Sequence, residues 1–173
     1  LGPALAETLW QTVAAKLAFL EPQPLSSAAA VKTKQQARQR LEDLGAEVFV
    51  AIANPQDAPS LEAALTAIEA HFGAIHGVLH TAETTAEESF RPLRHTRKED
   101  CQWQFAPKVV GLPQLAQALA GRSLDLVLVQ SSIASQVGGF LAHAGANWFA
   151  DAYVQAQNRR QSTPWLAVNW EGW

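Results

Sequence analysis

An α/β fold built on a parallel, doubly wound sheet is predicted for this 173-residue chain, and three observations predict it. Short apolar runs alternate with helix-length segments along almost the whole chain, which is the pattern of βαβ units. Two runs, Glu47 to Ile52 and Asp125 to Val129, are nearly all apolar, as strands covered on both faces are. Glycines follow two helical segments directly, Gly45 after Leu44 and Gly73 after Phe72, where a left-handed residue ends a helix.

The elements follow in order. Pro3 sits in the first turn of a helix whose apolar stripe is Leu5, Leu9, Val13 and Leu17. A strand over Lys16 to Leu20 then runs into Glu21-Pro22-Gln23-Pro24, and Ser26 to Lys34 comes nearest to a linker. Helices are expected over 30–44, 60–72, 101–120 and 144–158, and strands over 48–53, 75–81, 124–129 and 165–169.

Within this frame Leu126 to Ala152, LVLVQSSIASQVGGFLAHAGANWFADA, is the richest stretch. It holds an apolar strand ending in Ser131-Ser132, a Gly-Gly loop, and a helix of small residues carrying Asn147. Further motifs lie in order along the chain: His80-Thr81-Ala82-Glu83 after a strand, Phe105-Ala-Pro-Lys108-Val-Val-Gly in a helix, and Ala167-Val-Asn-Trp-Glu-Gly-Trp173 at the end. Together they resemble the ketoreductase domain of modular polyketide synthases, a branch of the short-chain dehydrogenase/reductases. The resemblance covers nearly the whole chain. It implies a Rossmann-like doubly wound sheet that lacks the first strand and most of the Gly-rich turn, because Leu1-Gly2-Pro3 resembles only the tail of that turn.

The resemblance also assigns the catalytic positions. Lys108, Ser132 and Asn147 fall where the family has its lysine, its carbonyl-orienting serine and its asparagine, and His143 falls where it has the tyrosine that gives a proton to the nascent alkoxide. Imidazolium can donate a proton, but the ring is shorter than a phenol. The interval from Ser132 to His143 is 11 residues, about two fewer than in the family. The one tyrosine, Tyr153, lies ten residues beyond His143. The expectation is therefore a pseudo-ketoreductase with His143 as a helix-start residue.

The cofactor positions that the resemblance implies are Gly2, Asn54, Ala82 and Glu83, and they depart from the family in one direction. Glu21 ends the strand where a basic residue would meet a 2′-phosphate, and a carboxylate repels that group. Asn54 replaces an aspartate expected at the adenine amino group, where it can still accept. Glu83 replaces a glycine that lets backbone approach the ribose. No cofactor is expected, NADPH being the one if the site works. Trp148 beside Asn147 is a candidate to fill the space a cofactor would take.

Composition narrows the classes further. A formal net charge of −3 argues against nucleic-acid and anionic-membrane partners. Arg91 to Asp100, rich in both signs, reads as a solvated helix entry. One cysteine allows no internal disulfide and suits the cytoplasm. No run of 18 apolar residues and no signal peptide stands out. The five histidines have no partner cysteines, which disfavours a metal site, and no Gly-x-Ser-x-Gly supports a hydrolytic triad.

Residues 1–173 are read as one domain of a larger polyketide synthase polypeptide. Three roles remain: a structural relic packed against neighbouring domains, an NADPH-dependent reductase of a carrier-bound β-ketoacyl chain, and a module that docks the carrier-bound chain. The lost tyrosine, basic residue and glycine favour the first. Neighbouring domains are the expected partners, with the acyl carrier protein a further candidate.

Overall fold

The computed structural model describes residues 1–22, 28–82, 84 and 89–171. These contain five parallel strands interleaved with helices, and they divide into two compact units, Leu1–Ala74 and Ile75–Trp173.

The first unit runs α1 (Gly2–Val13), β1 (Leu17–Pro22), α2 (Ala28–Asp43), β2 (Val48–Ala53) and α3 (Ala58–Phe72). Strands β1 and β2 pair in parallel from Leu17 opposite Val48 to Pro22 opposite Ala53. Ala6, Leu17, Leu41 and Ala46 form the core, with Leu9 and Trp10 packed on it. The Trp10 indole donates to the Leu44 carbonyl at 3.1 Å, meeting an acceptor that the end of α2 leaves open. Asp57 caps α3 by accepting from the Ser60 amide at 3.0 Å, with Pro59 in the first turn.

The expected stripe on α1 is only half correct. The helix stops at Val13 because Ala14 turns left-handed at φ 50°, so Leu17 belongs to β1 and Val13 faces solvent. The segment read as a linker is helical from Ala28 onward, and its start, like the second half of Glu21-Pro22-Gln23-Pro24, lies outside the described residues.

The second unit comprises β3 (Gly77–His80), a 3₁₀ turn (Leu93–His95), α4 (Lys98–Phe105), a π-helical turn (Ala106–Val110), α5 (Gly111–Ala118), β4 (Leu126–Ser132), α6 (Ala134–Val137), α7 (Leu141–Asn158) and β5 (Trp165–Trp170). Its sheet is β3-β4-β5, all parallel. Val127, Val129 and Ser131 of β4 are buried on one face. Ala142, Ala146, Ala150 and Val154 of α7 are buried as well, spaced three or four apart as one face of a helix requires.

The single helix expected over 101–120 is three pieces. Pro107 has no amide hydrogen, and its ring would strike the Trp103 carbonyl in a regular α-turn. The backbone widens instead to a π-turn in which the Gly111 amide donates to the Ala106 carbonyl. The segment Arg91 to Asp100, expected to be solvated, is buried at its end: Asp100 is 0% exposed, and its Oδ2 accepts from the Arg97 amide at 2.8 Å as the carboxylate half of a capping box. Burial pushes the Asp100 carboxyl up, but the Arg97 amide and the Arg97 and Arg91 guanidinium groups outweigh it and hold it below its ordinary range.

This is a Rossmann-like α/β fold. In the doubly wound order 3-2-1-4-5-6, β2-β1 and β3-β4-β5 correspond to 3-2 and 4-5-6, and the first strand has no counterpart among the described strands. No described helix is long and apolar enough to cross a membrane.

Candidate active site

The second unit brings three of the expected catalytic residues together. His143 and Asn147 lie one turn apart on α7, on its buried face. Lys108, only 2% exposed, sits at the middle of the π-turn and donates from Nζ to Asn147 Oδ1. The Asn147 amide nitrogen donates to the His143 carbonyl at 2.9 Å and lies 3.3 and 3.4 Å from the two ring nitrogens of His143.

Two residues not anticipated from the sequence complete the cluster. Gln104, one helical turn before Lys108, places Oε1 3.3 Å from His143 Nδ1 and donates from Nε2 to Ser89 Oγ at 2.7 Å. Both Gln104 and Ser89 are buried. The four-residue spacing to Lys108 was a usable signal for Gln104, and nothing in the sequence pointed to Ser89. Phe90 packs its ring 5.0 Å from that of His143 and 5.6 Å from that of Phe140, so aromatic carbon covers the imidazole on one side. His143 is 9% exposed.

Ser132 makes its contacts in a different set. Its hydroxyl accepts from the Ala134 amide at 3.2 Å, and its carbonyl accepts from Asn169, whose amide also reaches Ser135 and Asp151. It is the neighbouring Ser131 whose hydroxyl donates to the Asn147 carbonyl, at 3.4 Å. Tyr153 stacks on Phe149 and meets Trp165 edge-on, and burial holds its phenol above its ordinary value.

His80, at the end of β3, donates from Nε2 to the Pro107 carbonyl at 3.1 Å in the turn that carries Lys108. Burial, and then the Lys108 ammonium, lower its pKa to about 4. A neutral imidazole thus supports the cation's turn without adding a second charge.

The expected dinucleotide positions fit a dinucleotide only in part. Gly2 is the first residue of α1, at the helix end where the tail of a phosphate-cradling turn would lie. Asn54 accepts at its side-chain oxygen from the Gln56 amide at 3.0 Å, which leaves that oxygen a second lone pair. β1 carries Glu21 near its end. Ala82 is exposed, and Glu83 lies outside the described residues. Trp148 fills no cofactor space: it is 65% exposed, because it falls about 100° around α7 from the buried Asn147.

The profile of the KR domain matches residues 1–173. Polyketide synthase PksM of Bacillus subtilis is 29% identical over 175 residues, covering 100% of this chain and 4% of that protein. Polyketide synthase PksL of the same organism is 31% identical over 144 residues, covering 81% and 3%. The chain thus spans a small fraction of the relatives it matches. A crystal structure of a ketoreductase domain from the bacillaene assembly line superimposes with a TM-score of 0.82 at 24% identity, over 99% of this chain and 41% of that one. The chain belongs to the KR family, the ketoreductase domains of polyketide synthases.

Proposed function

We propose that residues 1–173 form a ketoreductase-like domain of a modular polyketide synthase or hybrid synthase that performs no reduction and serves as a structural part of a cytoplasmic multidomain polypeptide. Neighbouring domains of that polypeptide are its partners. The observation that carries this reading is the enclosure of His143. Its ring faces Gln104 on one side and the Asn147 amide on the other, with Phe90 beside it. A proton donor must reach the carbonyl oxygen of a substrate, and this imidazole is engaged within the protein. The Glu21 carboxylate near the end of β1, which repels a 2′-phosphate, supports the same reading.

The competing reading is NADPH-dependent reduction of a carrier-bound β-ketoacyl chain. One observation favours it: Lys108, Asn147 and the residue at the donor position are still assembled. Docking of a carrier-bound chain without redox chemistry is the third reading. Calorimetric titration of NADPH into the protein with its natural flanking sequence, followed by a ketone-reduction assay, separates these readings. No binding at millimolar cofactor and no turnover are expected. Micromolar binding with turnover would return the domain to the reductases.

A further inference from the structure

The directions of the hydrogen bonds around His143 follow from the groups that make them. The Lys108 ammonium can only donate, so the Asn147 atom it meets is the acceptor Oδ1, and the Asn147 nitrogen is the one turned to the ring. That nitrogen lies 3.3 and 3.4 Å from Nε2 and Nδ1, nearly equidistant and hence over the ring face, so it meets the π-cloud and not one lone pair. On the other side Gln104 gives its Nε2 protons to Ser89 and presents Oε1, an acceptor, to Nδ1. An acceptor there asks for a hydrogen on Nδ1. This acceptor, and the Lys108 ammonium one side chain away, which disfavours a second positive charge, are both met by one species, the neutral ring protonated at Nδ1.

We propose that Gln104 is a positioning residue that commits His143 to the neutral, Nδ1-protonated tautomer. The amide oxygen is suited to this because it accepts without adding charge. A carboxylate in its place would keep the acceptor but pair with the ring as an ion and favour the imidazolium. The proposal rests on hydrogen-bond direction and not on whether the domain reduces a substrate, so the reduction assay and the test below can fail separately.

The test is a two-bond proton–nitrogen correlation spectrum of the chain labelled with nitrogen-15 histidine, at pH 7, with the His143 signals identified by their loss in His143→Gln. The wild-type chain is expected to show the neutral Nδ1-protonated pattern. Gln104→Met, similar in size but without the acceptor, is expected to move His143 toward the Nε2-protonated form. Gln104→Glu is expected to move it to the imidazolium. A purely structural Gln104 would change stability and leave the tautomer alone. Imidazolium or the Nε2-protonated form in the wild-type chain overturns the proposal, as does an unchanged Nδ1-protonated signal in Gln104→Met. Should Gln104→Met not fold, the wild-type spectrum and Gln104→Glu, which keeps the acceptor, still decide.

Discussion

Lys108 and Asn147 form a buried pair in which only one partner is charged, and that asymmetry fixes what each contributes. Removing Asn147 takes an acceptor from a buried ammonium, whereas removing the lysine charge takes a donor from a neutral amide oxygen. Asn147→Leu is therefore expected to cost roughly 3 kcal/mol and Lys108→Met about 1–2 kcal/mol in urea unfolding. The reverse order would mean that Asn147 Oδ1 is not what sustains the charge. Lys108→Met, if folded, should leave product formation by the parent synthase unchanged. The same holds for Ser132→Ala, whose hydroxyl serves only the Ala134 amide among the bonds traced above. Turnover that falls with either substitution speaks for retained chemistry. His80 adds a pH dependence with a definite sign. Its folded pKa of about 4 lies below the ordinary 6.5, so between these values the unfolded chain binds the proton and the folded chain does not. The stabilising contribution is complete above pH 6.5 and lost as pH falls toward 4, approaching roughly 3 kcal/mol. Denaturation curves of wild-type and His80→Gln protein should converge in slope against pH only if some other group is responsible.

At the scale of elements, what the sequence disclosed and what it hid have separate causes. Strand positions were legible because apolar runs and terminal glycines are local signals: β2 was expected over 48–53 and occupies Val48–Ala53. The helix over 101–120 was misread because apolar periodicity passes through Pro107 unbroken, while the steric conflict that widens the turn is set by one ring and one carbonyl. The start of α1 was legible from Pro3 and its end was not, since an alanine with positive φ leaves no mark in composition. In the site, Lys108, His143 and Asn147 were readable from ordered motifs. The Gln104–Ser89 arm was not, because it joins α4 to a loop through a contact no spacing rule encodes. The shortened connection between Ser132 and His143 turns on Gly138 at φ 78° and Gly139 at φ 122°. Only glycine adopts such backbone without strain, so Gly139→Ala should cost about 1 kcal/mol or more. A stability unchanged in thermal unfolding would show that the loop takes another path.

Across the whole molecule the ladders are unequal. β4 exchanges hydrogen bonds with β3 on one edge and β5 on the other, and α7 covers its buried face with Ala142, Ala146 and Ala150. β1 and β2 bond only to each other among the described strands, and a two-stranded ladder depends on its covering helices for stability. Those helices supply Ala6 and Leu41 to the small cluster that Leu17 and Ala46 complete, and its two alanines bury little apolar area apiece. The lowest-energy openings should therefore expose the β1-β2 ladder before β4. Hydrogen–deuterium exchange read by mass spectrometry should find peptides over Val127 to Gln130 at least about tenfold slower than those over Phe19 to Glu21, a difference near 1.4 kcal/mol in opening free energy. Equal protection in the chain with its natural flanking sequence would mean that β1 gains a further strand partner there. That result would locate the missing first strand of the doubly wound order in the neighbouring sequence, and it would tie the stability of this domain to the polypeptide that surrounds it.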